Sequence, residues 1–417
     1  MPTPAYSQAR ALQVCRGCGD AGVTVVWDLA GAPYGDLFRS TAVEARSLRA
    51  HTLTLGLCPT CGLLQLLEDV TAEDIHEDYL YQTRVNPGLV SFYQRLGERR
   101  VGELGLTSED LVIDVGGNDG SALLPYRDAG VRVLNIDPAS RAVAVARERG
   151  VTSEQGYLDA ELAERVVGEY GPAALVTAHY VAANVPSPVR FLTDLASCVT
   201  ANGLVSVITG YHPDQFLSHM FDYISHDHLS FFSVRSFRAC AERSGLVLCS
   251  VSRNAHKGGS VRLDLRRAGV SVPDESVALH LQQEQWREVG VESTYRQFAS
   301  HIERIGHRVR ELLDECTTTP VPGIGASIST THLLAQFGLT DRISVLLDDD
   351  PRKVGLFAPG SGLPVAPLEA VVDPPHADTV IILSWQVTNI LMSRLREVGF
   401  TGRVVLPLPT PTVVTIA

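Results

Sequence analysis

Long apolar runs rather than strict alternation mark the middle of this chain. LVIDVGG (111–117), VRVLNIDP (131–138), AALVTAH (173–179) and GLVSVIT (203–209) each read as a strand. Between them lie stretches of helical period, 140–149 and 188–200. The strand–helix–strand rhythm predicts a parallel sheet with helices on both faces. Upstream, residues 1–72 hold only short β-like runs, at 24–29 and 51–55. Downstream, 277–316 carries an apolar residue every three or four positions, which predicts one or two long helices. Thr317-Thr318-Thr319-Pro320 ends them. VPGIGAS (321–327), RISVLLDDD (342–350) and DTVIILSW (378–385) predict the strands of a second α/β region. The expected division is therefore 1–72, 73–255 and 256–417.

Composition narrows the class. Of 417 residues, 45% are apolar and 20% charged, which is ordinary for a globular protein and long enough for sizeable cores without disulfides. Lys and Arg total 35 and Asp and Glu 47, a net charge of −12. That balance argues against nonspecific nucleic-acid binding, which depends on neutralising phosphates. It leaves room for a local basic pocket around one phosphorylated small molecule. No uncharged apolar run is long enough to predict a membrane span. The opening MPTPAYSQARALQVC lacks a basic n-region and an apolar h-region, so a cytoplasmic protein is expected.

Four of the eight cysteines form two C-x-x-C pairs, Cys15/Cys18 and Cys58/Cys61, each followed by a glycine. Thiolates three residues apart on a tight turn reach one tetrahedral ion, and a glycine at positive φ lets backbone N–H groups face the sulfurs. The expectation is one structural zinc, closed by four ligands, with a disulfide pair or an iron–sulfur cluster as the other readings. Cys198, Cys240, Cys249 and Cys316 are scattered and read as buried thiols.

A second motif, Asp114-Val-Gly116-Gly117-Asn118-Asp119-Gly120, follows a strand and precedes a helical stretch. Small residues there let the backbone approach a cofactor. Asp137 ends the next strand and can accept both ribose hydroxyls of an adenosine. NAD and S-adenosylmethionine both suit this pattern. The D-x-G-x-N-x-G spacing departs from the G-x-G-x-x-G of dinucleotide sites, and an acid at the strand end disfavours a pyrophosphate and suits a sulfonium. In the last third, GIGAS (323–327) could meet a phosphate or ribose and Asp348–Asp350 end the following strand, but no intact dinucleotide fingerprint is present.

CRGCG, CPTCGLLQL, VGGNDGS, IDPA, HDHLSFFS (226–233), KGGSVR (257–262), GIGAS, DDDPRKVGLFAPGSGLPV (348–365) and ILSW (382–385) occur in this order along nearly the whole chain. In this the chain resembles the sugar C-methyltransferases of deoxysugar biosynthesis. The resemblance implies an α/β protein. A class I methyltransferase (Rossmann-like) domain would be flanked by a small zinc-binding N-terminal domain and a second Rossmann-like C-terminal domain. It implies S-adenosylmethionine and structural zinc as cofactors. The implied substrate is a nucleotide-linked 4-keto-deoxysugar, methylated on the carbon beside the ketone after that carbon loses a proton. A monomer or small homo-oligomer is expected.

Carried over residue by residue, the resemblance makes His228 the base, oriented by Asp227 or His226. The acid is one methylene shorter than the family's Glu, and Ser225 stands where the family has Tyr. Asn184 replaces the family's usual His, and His179 falls where adenine packs. Tyr79 and Tyr81 fall at aromatic substrate contacts. Lys257 takes a usual His position beside glycine amides and could bind a phosphate. These departures keep two other classes open: a repurposed family member, epimerase-like or acting on a non-sugar acceptor, and an NAD-dependent sugar oxidoreductase.

Overall fold

The computed structural model describes residues 14–34, 37–68, 82–373 and 377–417. Its contacts divide the chain into two compact units that do not follow the three expected segments. Unit 1 takes residues up to 24, 56–214 and 227–291, and unit 2 takes 25–55, 215–226 and 292–417.

Unit 1 is built on a seven-stranded sheet. Across it the strands run Leu246–Asn254, Ser260–Arg267, Val199–Gly210, Ala173–His179, Leu111–Val115, Arg132–Asp137 and Ser153–Gln155. Six run in the same direction, and Ser260–Arg267 alone is reversed, entering antiparallel to both its neighbours. In chain order this is 3-2-1-4-5-7-6, the doubly wound arrangement expected of a class I methyltransferase. All residues of Leu111–Val115 are buried, as a central strand covered on both faces requires. The expected boundary at 255 falls inside the Leu246–Asn254/Ser260–Arg267 hairpin, whose strands pair from Leu246↔Arg267 to Asn254↔Ser260.

Helix Pro87–Leu104 is started by the Asn86 side chain, which accepts the Leu89 N–H, and by proline in its first turn. Cys15, Cys58, Cys61 and Leu63 share one buried cluster with Ile113, Val176, Val207 and Phe237. The cysteine turns and the sheet of unit 1 thus have a common core.

Unit 2 carries a six-stranded mixed sheet in the order Val365–Ala366, Ile343–Leu347, Val321–Ile324, Thr379–Ile382, Gly402–Leu406, Thr412–Ile416. Only the last pairing is antiparallel. The helical stretch before it is two helices, Glu275–Trp286 in unit 1 and Glu292–Cys316 in unit 2. The longer one buries Tyr295, Ala299, Ile302, Ile305, Val309 and Leu312, the three-and-four spacing of an amphipathic helix. Among the described residues no helix is long and apolar enough to cross a membrane.

Candidate active site and zinc centre

The thiols of Cys15, Cys18, Cys58 and Cys61 lie within 4.8 Å of one another. Cys15 and Cys61 sulfurs are 3.5 Å apart and Cys18 and Cys58 sulfurs 3.4 Å. A disulfide needs about 2.05 Å, whereas a zinc tetrahedron with bonds of about 2.3 Å has edges of about 3.8 Å. Gly19 and Gly62 both take positive φ, 76° and 75°. Their N–H groups return to the Cys15 and Cys58 carbonyls, and the Gly17 and Cys18 N–H groups face the Cys15 sulfur at 3.4 Å. The bond from Cys61 pulls the Cys15 thiol down to about 5. The same bond and burial drive Cys61 far upward, and burial raises Cys58 to about 11. Four thiolates can coexist here only around a cation, so the donor set fits zinc. With all four positions filled by sulfur, the ion is structural.

At the carboxyl ends of Leu111–Val115, Arg132–Asp137 and Ala173–His179 lies a cavity of about 200 Å³. This is where open α/β sheets bind ligands. Gly116, Asn118, Asp137, His179, Asn184 and Lys257 all line it. Gly116 has φ 70°, and a Cβ there would sit 2.3 Å from Val181. The Asp137 carboxylate accepts the Asn118 N–H and the Ala139 N–H, each at 2.8 Å. Burial raises its pKa. Among the described residues, both ring nitrogens of His179 and the Asn184 amide oxygen are buried without a protein hydrogen-bond partner. His179 stacks on Tyr93 with ring centres 5.2 Å apart, and burial holds it neutral, pushed down to about 3. A flat aromatic stack, orphaned polar atoms and a strand-end carboxylate together fit the adenosine part of S-adenosylmethionine.

Three expected cofactor residues stand behind this wall rather than on it. Asp114 is buried and accepts a 2.6 Å hydrogen bond from the Thr177 hydroxyl. Burial pushes its pKa up to about 7. The negative charge expected at this strand end is thus suppressed, and Asp137 is the carboxylate that faces the cavity. Gly117 admits no side chain because Asn135 Oδ1 would be 2.3 Å from its Cβ. Gly120 packs towards Val151 and Ala146.

The expected catalytic segment is divided between the units, which change at 226/227. In unit 2, His226 is buried and packs edge-on against Tyr34 and His51, with ring centres at 5.0 and 5.7 Å. Ser225 beside it is buried. In unit 1, His228 Nε2 lies 3.9 Å from the Asp227 carboxylate. Neither residue lines the cavity, whereas Lys257 does. Tyr79 and Tyr81 lie outside the described residues. Pattern reading missed Thr83, Tyr93, Tyr157 and Tyr180 on the cavity wall. Tyr157 and Tyr180 come just after parallel strands, where the strand-end rule would have found them. Thr83 and Tyr93 carry no such signal.

Three family models match successive stretches of the chain. They are "Putative zinc binding domain" over 15–76, "Methyltransferase domain" over 81–251 and "C-methyltransferase C-terminal domain" over 255–409. C-methyltransferase NovU of Streptomyces niveus is 28% identical over 411 residues, 97% of each chain. Among solved structures, magnesium protoporphyrin IX methyltransferase (ChlM) of Synechocystis PCC 6803 with bound SAH is 16% identical. It covers 45% of this chain and 85% of its own, with a TM-score of 0.36. The CcbJ methyltransferase of Streptomyces caelestis is also 16% identical, covering 42% and 89%, with a TM-score of 0.34. Matched from the cysteine turns to the last sheet, the chain belongs to the S-adenosylmethionine-dependent C-methyltransferases with a zinc-binding N-terminal domain and a C-methyltransferase C-terminal domain.

Proposed function

We propose that this enzyme methylates the carbon beside the ketone of a nucleotide-linked 4-keto-deoxysugar. The observation that carries the reading is a donor cavity whose wall bears an amine, Lys257, next to the groups suited to adenosine. Carbon methylation needs a proton acceptor at the donor, because a C–H carbon becomes a nucleophile only after deprotonation. What supports a sugar acceptor is the resemblance of the motif order to that of deoxysugar C-methyltransferases, together with the full-length similarity to a C-methyltransferase.

When bound, S-adenosylmethionine supplies an electrophilic methyl on a sulfonium. Asp137 would hold the ribose, and its two backbone bonds fix the carboxylate for that task. The stacked pair of neutral His179 and Tyr93 would form one wall against the adenine. The Asn184 amide oxygen would orient the donor or the acceptor, since it cannot take a proton in the way the family's histidine would.

The test is incubation with S-adenosylmethionine and a panel of nucleotide 4-keto-sugars in D2O. The expected outcome is one methyl added on carbon, with deuterium entering the carbon beside the ketone when S-adenosylhomocysteine replaces the donor. Methyl found on oxygen, or on a non-sugar acceptor alone, would overturn the reading.

A further inference from the structure

We propose that Gln65 is a positioning residue of the methyl transfer: its side chain ties the two cysteine turns into one support that sets the Asn184 turn of the cavity wall. The inference concerns the transfer itself and holds for any acceptor.

Gln65 lies in strand Leu64–Leu66, which leaves the Cys58–Cys61 turn. It is 0% exposed, as are Leu63, Leu64 and Leu66 around it. An amide buried that deeply must find its hydrogen bonds within the protein. It finds them on the other cysteine turn. Gln65 Oε1 accepts the Arg16 N–H at 2.9 Å, and Gln65 Nε2 donates to the Val14 carbonyl at 3.2 Å. Val14 and Arg16 flank Cys15, so the side chain grips the backbone on either side of one thiol of the zinc centre.

The backbone of the same strand continues the support towards the cavity. Leu64 and Gln65 pair antiparallel with Phe231 and Ser230, and the Leu66 N–H donates to the Leu229 carbonyl at 3.1 Å. On its other side this segment meets the turn after strand Ala173–His179. The Leu229 and Ser230 N–H groups both donate to the Ala183 carbonyl, at 2.7 and 3.0 Å. Arg16 closes the triangle, because its guanidinium donates to the Glu68 carbonyl at 3.0 Å and to the Pro186 carbonyl at 3.2 Å. Asn184 stands between the two gripped carbonyls, with its own N–H on the Val181 carbonyl at 2.8 Å. Its amide oxygen is thereby held at the cavity wall, buried and, among the described residues, without a partner.

The supported segment is fixed downstream as well. Helix Val234–Arg243 begins soon after Phe231, and Arg235 donates to the Thr60 carbonyl inside the Cys58–Cys61 turn at 3.1 Å. Asp227 and His228, with carboxylate and imidazole 3.9 Å apart, come directly before Leu229. The adenosine side of the cavity hangs on other ladders. Strands Leu111–Val115 and Arg132–Asp137 pair with each other and with Ala173–His179 and Ser153–Gln155. None of these pairings uses a residue of the cysteine turns. Breaking the Gln65 bonds therefore shifts Asn184 and the 227–230 segment while Asp137 keeps its hold on the donor.

Two measurements on the full chain test this with Gln65→Met, similar in volume, and Gln65→Asn, one methylene short. Both leave the four thiols in place, and elemental analysis checks for one zinc per chain. Failure of both variants to hold zinc would make Gln65 a residue of the fold alone and overturn the proposal. The first measurement is amide hydrogen exchange read by mass spectrometry, with no acceptor present. Exchange of the peptide holding Leu229 and Ser230 should rise by about tenfold relative to peptides of strands Leu111–Val115 and Arg132–Asp137, the equivalent of one hydrogen bond. A rise shared equally by all peptides, or no rise, overturns the proposal. The second is turnover, with S-adenosylhomocysteine binding followed by calorimetry. The kcat of zinc-loaded variants should fall by about 10²-fold, as a misplacement of about 1 Å causes, with donor affinity and donor KM unchanged. Wild-type kcat in both variants overturns the proposal. Donor affinity falling in step with kcat overturns it too, since Gln65 would then support the whole unit. If wild type methylates no sugar of the panel, the sugar reading fails by itself, and the exchange pattern still decides Gln65.

Discussion

Two aspartates close neighbouring strands of one sheet, and their surroundings give them opposite tasks. Asp137 reaches the cavity and is fixed by two N–H donors. Asp114 is enclosed, with Thr177 as its hydrogen-bond donor, and its pKa rises from 3.8 to about 7. The folded state therefore keeps a proton on Asp114 that the unfolded chain has lost between those values. Stability is full below about pH 4, falls as pH climbs towards 7 and stays lowered above it. Asp114→Asn removes that penalty. Its advantage over wild type should grow between pH 4 and 7, towards an upper bound of about 4 kcal/mol at roughly 1.4 kcal/mol per pKa unit. Thermal unfolding of both proteins at pH 5 and pH 8 reads it. An advantage independent of pH would mean that Asp114 is ionised in the folded protein.

At the scale of elements, the hairpin ending at Lys257 is anchored by charge as well as by its ladder. Asp264 pairs with Ser206 in register and accepts a 2.6 Å hydrogen bond from its hydroxyl. Its other oxygen lies 3.1 Å from Arg100 on helix Pro87–Leu104 and 3.5 Å from Arg262. Arg100 and Asp264 are both almost fully buried, at 7% and 6% side-chain exposure. Removing Asp264 takes the carboxylate from Arg262 and leaves Arg100 only its 3.1 Å pair with the half-exposed Glu103. Asp264→Ala should destabilise the protein by about 3–5 kcal/mol in urea unfolding. A loss below about 1 kcal/mol would show that water reaches the two arginines. Arg262 and Arg100 also help to keep His179 neutral, so this anchor acts on the cavity as well as on stability.

At the scale of the molecule, the cysteine turns are a part of unit 1's core. Cys15, Cys58 and Cys61 lie in the same buried cluster as the sheet strands. Zinc binding is therefore coupled to folding of that unit. Wild type should carry one zinc per chain by elemental analysis. Cys58→Ser should lose most of it and unfold at a lower temperature. A variant with unchanged zinc, or an unchanged unfolding midpoint after metal loss, would contradict the coupling.

Much of this was legible along the chain because it is written in local pattern. Buried parallel strands appear as apolar runs, so 111–117, 131–138 and 173–179 mark the sheet. The paired C-x-x-C turns with their glycines mark a metal centre, since ligand spacing and turn geometry are both short-range. The glycine-rich turn and Asp137 point for the same reason to the cavity at the strand ends, which Gly116, Asn118 and Asp137 line. What folding alone decided involves residues far apart in sequence. Strand Ser260–Arg267 inserts beside Val199–Gly210, which carries Lys257 to the cavity from beyond the expected domain boundary. Burial, which no local pattern states, raises Asp114 towards neutrality and lowers His179 far below its ordinary value. His226, Asp227 and His228 are adjacent in sequence, yet the chain passes from one compact unit to the other between the first two. Sequence adjacency constrains the backbone over a few residues, whereas a catalytic site is a set of distances. Those distances follow from strand order and from which faces of the sheet are covered.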